Sequence, residues 1–265
     1  GLRYYSPRLF EVGGIVMTGL GKDGADIVCG PLPLENREKW PSVALLDEPG
    51  TIYGPEHAVR FVSSMIVHCA RDGGYQIVLK PKRKDDLIAK LPTGVTDTLN
   101  QLVGDGRAHI MPSSTSVAQL CEVCDIVVSV PSTAAYLAIG MRKPVLVFNP
   151  FHTIRTVFYE HGLDGIHIFV DLDALMARLN ALLASRQFGA QALERTRKVL
   201  DPWLDMNGNE RKGYFVTQLV HHLSDGIPKT EAIAISMSEY RARYGESTCG
   251  DWQSVWDGAS AYAGD

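Results

Sequence analysis

Six apolar runs of strand length alternate with stretches of helical periodicity, and this alternation constrains the chain more than any other feature. The runs are Ser42–Leu46, Tyr75–Leu79, Ala108–Met111, Asp125–Val130, Lys143–Phe148 and His167–Val170. Helical patterns lie between or after them at Pro55–Arg71, Asp85–Leu102 (interrupted near Pro92-Thr93-Gly94), up to Cys124, from Ser132 to Met141, and at Leu172–Leu183. Strand–helix–strand repetition predicts an α/β fold, a doubly wound, Rossmann-like parallel sheet of about six strands with helices on both faces. The fourth and fifth runs are apolar almost throughout, as suits strands buried on both sides. Ligands of such sheets lie beyond the carboxyl ends of the strands.

Flanking this core, residues 1–40 are read as an N-terminal segment, a remnant or linker to a partner domain, with one strand near Gly14–Thr18. Residues 41–227 are read as the Rossmann-like domain, and 228–265 as an extension with one helix, Thr230–Tyr244, and a tail rich in Gly, Ser and Trp. The start at Gly1 without a methionine suggests a trimmed or excised piece.

Composition narrows the function class. A net charge of −4 over 265 residues argues against a dedicated nucleic-acid binder. No apolar run approaches the roughly 20 residues of a membrane-spanning helix. Cys121 and Cys124 form a CxxC without a second such pair, and the helical pattern around them predicts buried, reduced thiols. A cytoplasmic setting is expected, reaching the cytoplasmic face of the inner membrane if the chain is held there peripherally or through a further domain. The histidines share no metal-ligand spacing, so no metal is expected, and His57 and its fellows read as structural or surface residues.

The strand ends carry the candidate chemistry. Lys80 and Lys82 lie two apart at the second strand's end, where an extended backbone points both the same way, suited to a phosphate or a leaving group's charge. A solvated basic turn is the competing reading. Ser113 and Ser114, and Ser132 and Thr133, open helices whose free N–H groups and dipole favour an anion; ordinary N-capping explains the same residues. Ala134, Ala135, Ala138 and Gly140 keep the second of these helices slim. Neither loop is a GxxxxGK[ST] phosphate loop, and GxGxxG does not occur. Asp47 and Glu48, at the first strand's end, offer carboxylates for a nucleophile, a base or a sugar hydroxyl, or are plain loop acids.

The segment Asp125–Phe148, with Val130-Pro-Ser-Thr133 and Gly140-Met-Arg-Lys-Pro-Val145, resembles the nucleotide-binding half of GT-B sugar transferases. Asp201-Pro-Trp-Leu-Asp205 with Glu210-Arg211 is similar to the D-P-x-x-D-G…R ending of capsule and teichoic-acid polymerising enzymes. Lys80-Pro81 and Ser113-Ser114 resemble the His-Pro and Ser/Thr motifs of bacterial sialyl- and Kdo-transferases. Lys80 stands where that family has histidine, and Met206-Asn207 where the ending has glycine.

The resemblance implies a glycosyltransferase of surface polysaccharide biosynthesis that uses a nucleotide-sugar donor, a CMP-sugar, with no other cofactor. The nucleotide would be held by Lys80, Lys82, Ser113, Ser114, Ser132 and Thr133, with Asp47, then Glu48, beside the anomeric carbon and a glycan or lipid-linked acceptor opposite. A CDP-alditol phosphotransferase, a sugar-nucleotide 2-epimerase and a non-catalytic nucleotide-sugar-binding domain remain open alternatives.

Overall fold

A computed structural model describes residues 15–16, 34, 38–46, 54–72, 74–81, 88–112, 114–151, 168–185, 203–246 and 249–250. The chain divides into two compact units, Gly24–Leu193 and a second made of Gly1–Asp23 with Glu194–Asp265.

In the first unit the strands are β2 (Ser42–Leu46), β3 (Gln76–Lys80), β4 (Ala108–Ile110), β5 (Ile126–Ser129), β6 (Val145–Phe148) and β7 (Ile168–Phe169). They form one parallel sheet in the order β4-β3-β2-β5-β6-β7. Its helices are α1 (Pro55–Asp72), α2 (Thr93–Gly104), α3 (Val117–Val123), α4 (Thr133–Gly140) and α5 (Leu172–Ser185). The chain winds outward from β2 to β4, returns to β5 on β2's other side, and winds outward again. This is the expected doubly wound, Rossmann-like topology, and its switch point lies between β2 and β5.

Side-chain alternation divides the sheet into two faces. Val43, Leu45, Ile77, Leu79, Ile126, Val128, Leu146 and Phe148 share a buried cluster with α1, α2 and α5. Phe61 of α1 stacks on Phe148 with ring centroids 5.3 Å apart. The alternate residues, among them Ala44, Leu46, Val78, Val127 and Val147, are buried on the face that α3 and α4 cover. On α4, Ala135 and Ala138 are fully buried, and the small side chains let it pack on β5 and β6. The amino-terminal edge is tied by polar groups: Asp125 accepts from the Ser42 amide at 2.8 Å, and Gln76 bridges the Trp40 carbonyl and His109.

Two boundaries differ from the sequence reading. α2 begins at Thr93 because Pro92, in extended conformation (φ −56°, ψ 143°), lacks the N–H an earlier start would use. Lys80 is the last residue of β3 and not the first of the loop, since it pairs with Leu46. Cys121 and Cys124 are fully buried and in no disulfide, as expected of core thiols, and burial pushes the Cys121 thiol up to about 12.

α4 ends in a Schellman turn: Lys143 N–H donates to the Ala138 carbonyl and Arg142 N–H to that of Ile139. Arg142 sits at φ +62° with its side chain exposed. A left-handed L-residue costs about 1–2 kcal/mol, while glycine gives back about 0.5–1 kcal/mol through its looser unfolded chain. Arg142→Gly is therefore expected to stabilise the unit by about 0.5–1 kcal/mol, read as a Tm rise of about 1–3 °C. A fall in Tm would refute the strain assignment.

The second unit pairs β1 (Ile15–Val16) antiparallel with β8 (Cys249–Gly250), joining the two ends of the chain. Its helices α6 (Gly208–Ser224) and α7 (Lys229–Tyr244) form a hairpin around buried Met237 and Tyr240, packed by Tyr214, Phe215 and Tyr244.

Candidate functional site

The carboxyl edge of the parallel sheet collects the sequence candidates in spatial order. Ser114 follows β4, Lys80 ends β3, Asp47 follows β2, and Ser132 and Thr133 follow β5. Asp47, Glu48, Lys82 and Ser113 themselves lie outside the described residues. With strands about 4.8 Å apart, the backbones of β3 and β5 are about 10 Å apart across β2.

Register adds a facing argument. Leu46 pairs with Lys80 on one side and with Ser129 on the other. Since Ile77 and Leu79 face the α1 side, Lys80 faces the α3/α4 side, and Ser129 does so by the same alternation. Half-buried Lys80 therefore lies on the face from which α4 begins.

The two serine-rich starts prove different. At α3 the cap is Ser116: its hydroxyl accepts from Gln119 N–H at 3.1 Å, and the Gln119 side chain accepts from Ser116 N–H at 2.8 Å. This capping box leaves Ser114 exposed in the preceding turn with no part in it. At α4, Ser132 occupies the N-cap position but its side chain makes no capping bond; its hydroxyl lies 3.3 Å from that of Ser129. The capping explanation thus accounts for α3 and not for α4. The start of α4, at the switch point, keeps N–H groups that no side-chain cap satisfies.

The fold also pairs two rim residues that lie far apart in the sequence. Phe151, after β6, is 43% exposed, and His57, in the first turn of α1, meets it edge-on with centroids 4.6 Å apart. Only the fold brings them together, across 94 residues of chain (151 − 57).

Farther along α1, His68 has Nδ1 2.9 Å from the Tyr75 hydroxyl and Nε2 2.9 Å from the Asp72 carboxylate. Burial pulls its pKa below the ordinary value, against the opposing pull of Asp72. The folded state therefore binds the proton less readily than the unfolded chain, and stability falls as pH drops below about 6.5. A lower urea midpoint is expected at pH 5 than at pH 7.5, with a smaller difference in His68→Gln. Equal differences in both would exclude His68 as the cause.

In the second unit, Arg211 is 3% exposed and donates through Nη1 and Nη2 to both oxygens of Asp205, each at 2.9 Å. Its guanidinium lies 4.0 Å from the centre of the Trp203 ring. The Arg211 bonds hold the Asp205 carboxyl below the usual carboxylate range. Leu204 and Met206, on either side, have φ of +56° and +60°. Met206 thus adopts the backbone conformation that the glycine of the resembling ending would favour, and its side chain is buried. Asp201 lies outside the described residues. Among the described residues no group of three or more His, Cys, Asp or Glu is placed to hold a metal ion, and no helix is long and apolar enough to cross a membrane.

A six-stranded parallel sheet in this order, with helices on both faces, defines a Rossmann-like domain. The chain belongs to the polysaccharide biosynthesis PFTS motif protein family, whose model matches residues 32–179, more than half of its length. The string Pro-Phe-Thr-Ser does not occur in this sequence; within the match, Pro112-Ser-Ser-Thr115 and Pro131-Ser-Thr133 combine proline with hydroxyl residues.

Similar solved structures include the glycosyltransferase SnogD from Streptomyces nogalater, at 16% identity and a TM-score of 0.45, covering 68% of this chain and 44% of that one. Another is a protein described as a UDP-N-acetylglucosamine 2-epimerase from Listeria monocytogenes, at 14% identity and a TM-score of 0.46, covering 77% of this chain and 50% of that one. The chain thus spans half or less of the length of either. No curated protein sequence matches it.

Proposed function

We propose that this chain is the nucleotide-binding half of a GT-B-like glycosyltransferase that builds a polysaccharide from a nucleotide-activated sugar, a CMP-sugar of the Kdo or sialic-acid kind. The observation that carries this reading is Lys80 on the same sheet face as the uncapped start of α4, on either side of the switch point. A cation and a helix start whose N-cap side chain makes no capping bond suit a phosphate, and the family's tie to polysaccharide synthesis supports the sugar.

In this reading the donor phosphate sits at the α4 amides beside Ser132 and Thr133. Lys80, aided by Lys82, neutralises the charge that develops on the departing nucleotide. Ser113 and Ser114 reach the nucleoside from the β4 side. Asp47, with Glu48 next to it, lies beside the anomeric carbon, and a glycan or lipid-linked acceptor approaches from the open side of the crevice.

The test is a thermal-shift panel of cytidine and uridine nucleotides and their sugar conjugates. CMP or CDP at ten times its Kd is expected to add about 1.4 kcal/mol of stability, a Tm rise of a few degrees. No shift with any cytidine or uridine nucleotide at millimolar concentration overturns the reading.

A further inference from the structure

A concavity with a volume of about 500 Å³ lies between α1 and the first turns of α5, on the sheet face opposite α3 and α4. Arg60, Ser63, Ser64, Val67 and Arg71 line it from α1 at helical spacing, so it follows that helix for about 16 Å. Arg60 belongs to the second turn of α1, and Asp171 comes two residues after β7 ends, so one end of the groove opens near the carboxyl rim of the sheet.

The lining offers donors and acceptors together. Arg60 and Arg71 face Asp171 and Asp173 across the groove, yet neither arginine makes an ion pair with any described residue. Asp171 spends one oxygen on the Ala174 amide at 2.9 Å, capping α5. The Ser63 hydroxyl is buried and has no hydrogen-bond partner among the described residues, although buried hydroxyls ordinarily find one. Val67, Leu172 and Met176 add apolar patches between these groups.

The balance of charge disfavours a phosphate ligand. Two arginines stand against Asp72, Asp171 and Asp173, so with His68 neutral the lining carries a net charge of −1 (2 − 3). An occupant that fits this lining presents hydroxyl donors and acceptors, C–H faces for the apolar patches, and no net charge. That is the chemistry of a neutral saccharide.

We infer that the α1–α5 groove binds a neutral saccharide segment of the polymer, holding the acceptor chain outside the donor crevice. The term acceptor rests on the transferase reading above; saccharide binding by the groove does not.

The test is native electrophoresis of the full chain through gels containing dextran, pullulan or galactomannan, with polysialic acid as an anionic comparison. At least one neutral polymer is expected to retard the chain. Arg60→Ala/Asp173→Ala should weaken that interaction at least tenfold, since the loss of even one hydrogen bond to a charged group costs that much. Arg178→Ala, an exposed arginine of α5 outside the groove, should behave as the parent. Both variants alter exposed side chains and should keep the parent Tm and the nucleotide shift. Retardation by none of the neutral polymers, retardation by polysialic acid alone, or an unchanged double variant overturns the inference. Retardation that responds to the double variant, in a chain that no nucleotide stabilises, would sustain the groove and remove the donor-site reading.

Discussion

Lys80→Ala is expected to abolish the thermal shift that CMP or CDP produces while leaving the unliganded Tm close to that of the parent. Lys80 is half-buried at the end of β3, so its truncation removes little packing. A charge-assisted bond to phosphate is worth about 1.5–3 kcal/mol, so the loss weakens binding by roughly 10- to 150-fold. At a nucleotide concentration ten times the parent Kd, a hundredfold loss cuts the added stability from about 1.4 to below 0.1 kcal/mol. Lys80→Arg should keep part of the shift because it keeps the charge. The parent shift should also shrink between 50 and 500 mM salt, as screening requires of a contact open to solvent. A full shift in Lys80→Ala would remove this residue from the site.

Asp205→Ala should destabilise the second unit by about 2–3 kcal/mol, more than truncation of its partner, Arg211→Met. The asymmetry follows from burial: Arg211 is 3% exposed, whereas the Asp205 side chain is 39% exposed. Without Asp205, a buried guanidinium loses the two carboxylate oxygens it donates to there, and breaking such a pair from one side ordinarily costs about 3–5 kcal/mol. Solvent near Asp205 lowers the expectation to about 2–3 kcal/mol. Without Arg211, the carboxylate is left to water and methionine retains the packing of the stem against Trp203, so about 1 kcal/mol is expected.

Urea unfolding of the two variants measures the difference directly. The folded pKa of Asp205 lies below its unfolded value, so its contribution is present above the unfolded value and disappears as pH falls through the lowered one. The gap between the variants should therefore narrow in acid. Equal costs for the two substitutions at neutral pH would show that Trp203 stacking, and not the ion pair, holds the segment.

Much of the first unit was legible in the chain. Apolar runs such as Val43–Leu46 and Ile126–Val130 announce strands buried on both sides, and the alternation with helices announces the winding. The carboxyl-edge position of Lys80, Ser114, Ser132 and Thr133 follows from that pattern, since each comes at the end of a run. Their chemistry was less legible. A serine before a helix reads the same whether it caps or not, and only the coordinates separate Ser116, which closes a capping box, from Ser132, which makes no capping bond. Pro92 marked an interruption in the sequence, but whether it broke a helix or began one depended on the turn before it.

The amino-acid order by itself determined the element types, the parallel sheet and which polar residues stand at the strands' carboxyl ends, because periodicity and propensity act over a few residues. Tertiary structure alone decided which face Lys80 takes, through its register with Leu46, and that Ile15–Val16 pairs with Cys249–Gly250. It also decided that His57 meets Phe151 and that α1 and α5 leave a groove between them. These are contacts between segments far apart in the chain. They are set by the burial of whole faces against one another, and no local pattern encodes a partner at that distance.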